Sequence, residues 1–263
     1  MTFQSLQYHE KDGVATIVLN RPETFNALSI QMGWELLDAL KRCAERKDVR
    51  AVVITGVGQA FSSGGDIRGM RDALEGDVLA FFLKLTKSVH DAILAIRELP
   101  KPVVASINGV TAGGGLGIAM ACDLRIASDA AKFNTAYLNI AASPDCGTSY
   151  FLTKSLGHFK ATELFLLPRN IDAAEALQLG LVHRVAPAKE LAQATYELAA
   201  RLASGPTVAI GRTKQLLNSA LQSDLAAQLN QEGWSIAQSG TTEDFREGIE
   251  AFLAKRASRF TGR

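Results

Sequence analysis

The stretch SINGVTAGGGLGIAMACD, from Ser106 to Asp123, places three consecutive glycines, Gly113 to Gly115, where an apolar helix is about to start. Glycine weakens a helix interior by roughly 1 kcal/mol relative to alanine, so the run must do something there that a side chain would prevent. Tight packing or a turn is one reading. A phosphate loop is another, but no G-x-x-x-x-G-K-[ST] is present, and no ribose-binding acid follows a G-x-G-x-x-G pattern. A third reading is an amide donor site. Glycines at a helix N-terminus let a ligand approach bare N–H groups, and the helix dipole adds positive potential. SSGGD, from Ser62 to Asp66, offers a second bare amide. Two converging amides make an oxyanion hole for an acyl oxygen, and one such donor typically changes a rate by roughly a hundredfold or more.

An oxyanion hole moves no protons; that needs an acid or base within reach of the reacting carbon. ASPDCGTSYFL places Asp145 after a proline, in a turn before a helix, where it could cap that helix or act on a ligand. Cys146 beside it could be a thiol nucleophile but has no local base, and reads as a small turn residue. His9, His158 and His183 lack partners at catalytic spacing, and His90 lies on an amphipathic helix. Arg21, Lys41, Arg68 and Lys101 could meet anionic phosphates or be solvated charges.

These residues need elements to hold them. VATIVLN (Val14 to Asn20), RAVVITG (Arg50 to Gly56), PVVASINGV (Pro102 to Val110) and DLRIAS (Asp123 to Ser128) read as strands. Helices fall between them at 30–47, after Asp66, at 77–97 and from the glycine run to about Ala121, with Ser29 a plausible N-cap. Such alternation implies right-handed crossovers and a mostly parallel sheet, with ligands at the strand C-terminal ends, where both glycine loops fall. Beyond residue 150 the pattern is helical, at 159–167, 173–180, 188–203, 206–219, 223–238 and 244–256, suited to capping the core or packing on another subunit.

The 263 residues suit one α/β domain with an appendage. A net charge of +1 gives no nucleic-acid or acidic-membrane footprint, and no apolar run is long enough to span a bilayer. The N-terminus has no signal pattern, and three cysteines without C-x-x-C spacing fit a reducing cytoplasm and offer no metal site.

SINGVTAGGGLGIAMACDLRIAS, AFSSGGDI and NRPETFNALS, three motifs in order, together resemble the crotonase superfamily, the enoyl-CoA hydratase/isomerase group. The resemblance runs through nearly the whole chain, to EGIEAFLAKRASRFTGR at its end. It implies an α/β crotonase spiral of ββα units over residues 1–200, with a helical C-terminal trimerisation region over 201–263, assembled as a homotrimer or dimer of trimers. It assigns the oxyanion amides to Gly65 and Gly114. It makes coenzyme A the thioester carrier of the substrate, with no permanently bound cofactor. The adenine then lies near Ala60 to Asp66, with Ser62, Ser63 and Gly64 between, and the pantetheine near Ala27, while Phe25 and Ile67 join the coenzyme-binding set. Phe252 and Lys255, with Phe260, resemble the segment that covers coenzyme A, sometimes across a subunit boundary.

The resemblance also narrows the chemistry. Hydratases of the group use two glutamates, at positions held here by Gly117 and Tyr137. Members acting as enoyl-CoA or 1,2-epoxyphenylacetyl-CoA isomerases, the latter in phenylacetate rather than fatty-acid catabolism, carry a lone acid in the turn of Asp145. The leading expectation is therefore isomerisation of a double bond, with Asp145 as acid and base. The rival is hydrolysis of the 4-chlorobenzoyl-CoA dehalogenase kind. There Asp145 would be a nucleophile, His90, twelve residues before Pro102, would activate water, and Tyr137, eight before Asp145, would replace a tryptophan. Hydration, or a non-catalytic acyl-CoA-binding subunit, completes the set.

Overall fold

The computed structural model describes residues 3–263. The chain opens with a hairpin, β1 (Leu6–Lys11) and β2 (Val14–Leu19), followed by α1 (Ile30–Glu45) and β3 (Ala51–Gly56). Ser29 caps α1, its Oγ accepting from the Met32 amide at 3.1 Å. A three-residue strand, β4 (Ala60–Ser62), then leads through a glycine loop into α2 (Ile67–Ala73) and the long α3 (Val78–Glu98). The next turn of the spiral repeats the plan with β5 (Val103–Ile107), β6 (Val110–Ala112), a second glycine loop and α4 (Gly114–Ala121). A third follows with β7 (Leu124–Ser128), β8 (Lys132–Asn134), α5 (Thr148–Leu156) and α6 (His158–Leu166). Then come β9 (Ile171–Asp172), α7 (Ala173–Gln178), β10 (Arg184–Ala186), α8 (Leu191–Ala203), α9 (Thr207–Ala220), α10 (Leu225–Ser239) and α11 (Glu243–Leu253).

The strands form two sheets. The larger runs β1-β2-β3-β5-β7-β10, parallel except for the β1/β2 hairpin, and the smaller runs β4-β6-β8-β9. Successive residues of a strand face opposite sides of its sheet, and in β3 both sides are buried. Val52 and Ile54 join the main core with Phe61, Ile107, Ile118 and Phe133, while Ala51 and Val53 pack under α8 with Ala199 and Ala203. Among the described residues no helix is long and apolar enough to cross a membrane.

The four strands expected in the sequence are present, with one revision that matters for the site. Pro102 to Val110 is not one strand: the chain breaks at Asn108–Gly109, and Val110–Ala112 belongs to the second sheet. Both glycine loops therefore follow the short strands β4 and β6, which are parallel neighbours, rather than the ends of the large sheet. Strands of three residues carry too little alternation to be seen from sequence.

Candidate active site

The first glycine loop is tied down from within. The Asn26 Nδ2 donates to the carbonyls of Val57 and Ala60, and the Ser62 Oγ donates to the carbonyl of Asn26 at 2.8 Å. The Leu28 amide then donates to the Gly64 carbonyl at 2.7 Å, and the Leu28 carbonyl accepts from the Asp66 amide at 3.1 Å. In this parallel bridge the flanking residues make both bonds, so the amide of Gly65, between them, is turned away. No protein acceptor among the described residues takes it. Asp66 caps α2, accepting from the Arg68 and Gly69 amides, and its carboxylate meets the Arg21 guanidinium at 2.8 Å. Burial alone would raise the carboxyl pKa; the Arg21 bond and the helix amides outweigh it and hold the group below its ordinary range.

The second loop turns on Gly113, whose φ of 49° lies in the left-handed region. It delivers the chain to α4, every residue of which is buried and whose N-terminus has no side-chain cap. A buried helix start without a cap leaves donors in want of an acceptor and focuses the positive end of the helix dipole on them. The Gly114 amide has no acceptor among the described residues, whereas the Gly117 amide closes the first helical bond to the Gly113 carbonyl at 3.2 Å. The loops touch: a Cβ on Gly64 would lie 3.4 Å from the Gly114 nitrogen, and one on Gly113 would lie 3.7 Å from the Gly64 Cα.

Asp145 arrives on the far side of the Gly114 loop. Residues 145–148 form a tight turn in which Cys146 (φ 51°) and Gly147 (φ 70°) are both left-handed and the Thr148 amide donates to the Asp145 carbonyl at 3.0 Å. This is the geometry of a type I′ turn, and a non-glycine residue in its left-handed position costs roughly 1–2 kcal/mol. The Thr148 hydroxyl also donates to the Asp145 carbonyl at 2.8 Å, and the Cys146 amide donates to His90 Nε2 at 3.1 Å. The half-buried Asp145 does not cap α5, whose N-cap is Gly147 without a side-chain bond. Its Oδ1 instead accepts from the Tyr137 hydroxyl at 2.9 Å. Burial, reinforced by the Asp145 charge, pushes the Tyr137 phenol up, so it stays protonated and donates. The same causes push the Cys146 thiol up, which removes it as a thiolate nucleophile.

The structure thus brings Gly64, Gly65, Gly114, Tyr137 and Asp145 together, with His90 reaching the Asp145 turn from α3. Phe25, Ser63 and Ile67 border the first glycine loop, Phe25 and Ile67 with exposed side chains. Ala27, Ala60 and Ser62 are buried, and the Ala60 carbonyl accepts from Asn26 and Asn108. Arg21 braces the loop, with Nη1 on the Ala27 carbonyl at 2.8 Å, and buried Lys101 donates to the carbonyls of Cys43 and Arg46 at the end of α1. Neither is a free cation for a phosphate. Phe252 is 82% exposed on α11, and Lys255 follows it. The tail beyond them docks through Phe260 on Arg50, at the opposite end of β3 from the glycine loop. Asn26, Leu28 and Thr148 were not singled out in the sequence. Thr148 has half a signal: Gly147 suits the second left-handed position of such a turn, whereas Cys146 does not announce the first.

Gly117 has no room for a side chain. A Cβ there would lie 2.2 Å from the Cys146 carbonyl oxygen and 2.8 Å from the Cys146 Cβ. The Asp145 turn occupies the space that a glutamate at 117 would need. Gly117→Glu is therefore expected to lower the unfolding free energy by about 1–3 kcal/mol, as overpacking does, and to yield no water addition to a 2-enoyl thioester. Denaturant midpoints and product mass check the two parts.

Comparison with known proteins agrees with this architecture. The family model described as enoyl-CoA hydratase/isomerase matches residues 9–263. A probable enoyl-CoA hydratase of Rhodobacter capsulatus is 37% identical over the full length of both chains. The 1,2-epoxyphenylacetyl-CoA isomerase of Escherichia coli is 34% identical over 97% of each. A crystal structure of a putative enoyl-CoA hydratase from Streptomyces coelicolor superimposes with a TM-score of 0.94 at 35% identity, covering 100% of this chain and 96% of that one. With its two sheets, paired glycine loops and helical C-terminal third, the chain has the crotonase fold and belongs to the enoyl-CoA hydratase/isomerase family.

Proposed function

We propose that the chain isomerises the double bond of an enoyl thioester of coenzyme A. The amides of Gly65 and Gly114 hold the thioester oxygen as it gains charge. The Asp145 carboxylate takes a proton from C2 of a 3-enoyl chain, leaving a dienolate. The resulting carboxylic acid returns the proton at C4, so the product is the 2-enoyl isomer and the carboxylate is regenerated. One carboxylate suffices because the proton leaves and re-enters the same ligand. The Tyr137 hydroxyl orients Asp145 through the 2.9 Å bond.

The observation that carries this reading is the lone carboxylate. Asp145 has no cation partner among the described residues, Gly117 has no space for an acid, and Asp66 is committed to Arg21 and the start of α2. The dehalogenase alternative needs His90 to take a proton from water, yet its Nε2 lone pair already accepts the Cys146 amide. Ser63, Gly64, Asp66, Ile67 and Phe25 are the residues proposed to border coenzyme A. Leu225, Leu229, Trp234 and Phe252, apolar and exposed on α10 and α11, suit a homotrimer in which a neighbour's Phe252 and Lys255 complete the coenzyme cover.

Incubation with 3-enoyl-, 2-enoyl- and 4-chlorobenzoyl-CoA, followed by mass spectrometry and ultraviolet absorbance, tests the reading. The expected result is a 3-enoyl thioester of unchanged mass that gains the absorbance of a conjugated thioester. Gain of one water by the 2-enoyl substrate, or release of chloride, without isomerisation, overturns it.

A further inference from the structure

We propose that His90 is a positioning residue: it holds the Asp145 turn in register by accepting the Cys146 amide. The inference rests on Asp145 being the acid-base group. His90 stands on α3, and Cys146 is 56 residues further along the chain, so this single bond of 3.1 Å ties the turn to a helix outside its own segment. The turn needs such a tie. Cys146 is left-handed without being glycine, and its amide points away from the hydrogen bond that closes the turn. Four other polar bonds end on Asp145 itself: Thr148 N–H and Oγ and the Tyr137 hydroxyl to its carbonyl, and the Tyr137 hydroxyl to its carboxylate. Without the His90 acceptor, the Cys146 amide loses its partner and the Asp145–Cys146 peptide is held through its carbonyl alone, so it can tilt about that anchor and shift the carboxylate with it.

The direction of the bond is fixed: an amide can only donate, so Nε2 presents its lone pair to the Cys146 N–H. Nε2 is therefore spoken for, and what His90 supplies is an acceptor at a fixed point. Glutamine reaches the same point with a side-chain oxygen, which separates holding from proton transfer.

The test compares His90→Phe with His90→Gln. For His90→Phe, kcat for the 3-enoyl thioester is expected to fall about 10- to 100-fold, the scale of a misplacement near 1 Å, with KM within about twofold. His90→Gln is expected to recover most of that loss. Hydrogen exchange at the Cys146 amide reads the bond without any turnover: protected in the wild type and in His90→Gln, fast in His90→Phe. Unchanged exchange in His90→Phe, an unchanged kcat, or a glutamine variant as slow as the phenylalanine one would each overturn the proposal, the last by making His90 a proton carrier. If the wild type converts no enoyl thioester, the isomerase reading fails, and the exchange data still judge the bond.

Discussion

Asp145→Asn is expected to abolish turnover while leaving acyl-CoA binding within about threefold. The substitution keeps the shape of the side chain, and its Oδ1 still accepts from Tyr137 as the carboxylate does at 2.9 Å. What it removes is the basic lone pair. General acid–base catalysis by one positioned group contributes about 10²–10⁴ in rate, which corresponds to about 2.7–5.4 kcal/mol of barrier. Both proton transfers run through this carboxylate, so the loss is expected at the upper end. Binding is carried elsewhere, by the loop amides and the border of the first glycine loop, so calorimetric titration with a non-reacting acyl-CoA should give nearly the wild-type affinity. Stability should barely change, because no cation depends on the charge. Full turnover in the variant would remove Asp145 from the reaction; loss of binding together with turnover would make it a structural group instead.

The large sheet and the outer helices were legible in the sequence because their residues repeat. Ala51 to Ile54 are apolar on both faces, as a strand covered on each side must be, and Ser29 sits where a helix of the right period begins. The hairpin strand β1 was missed: Gln7, Glu10 and Lys11 on an edge dilute the signal of Leu6 and Tyr8. The glycine loops and Asp145 were legible through their motifs. The fate of each charge was not. Arg21 and Lys101 look alike in sequence to any surface cation, and only the fold shows that one clamps Asp66 and the other ends α1. The contact between His90 and Cys146 joins residues from two turns of the spiral, and no local pattern announces it. Local propensity reports what a residue does to its own segment; a site assembled from three loops is a property of how segments meet.

Replacing the Gly114 peptide bond by an ester, through incorporation of glycolic acid at that position, is expected to slow turnover by about 10²–10³, or about 2.7–4 kcal/mol, as loss of one oxyanion donor does elsewhere. Ordinary mutagenesis cannot ask this question cleanly. A methyl on Gly114 would lie 2.9 Å from the Cys146 Sγ and 3.0 Å from the Leu28 Cδ1, so Gly114→Ala perturbs both the Asp145 turn and the first glycine loop. The ester adds no side chain; it deletes the N–H and leaves the Gly113 carbonyl a weaker acceptor. That N–H lies at the first position of α4 and has no partner within the helix, so the fold's loss is confined to a weaker bond from the Gly117 amide to the Gly113 carbonyl. The same exchange at Gly117 is the control. Its amide donates to the Gly113 carbonyl, so the ester there should lower stability by about 1 kcal/mol and leave the rate of the folded enzyme close to that of the wild type. A donor to developing charge and a donor to the protein's own carbonyl thus separate along two axes, rate and stability. If the Gly114 ester turned over at the wild-type rate, the amide would not meet the reacting oxygen, and the three glycines would be a packing device.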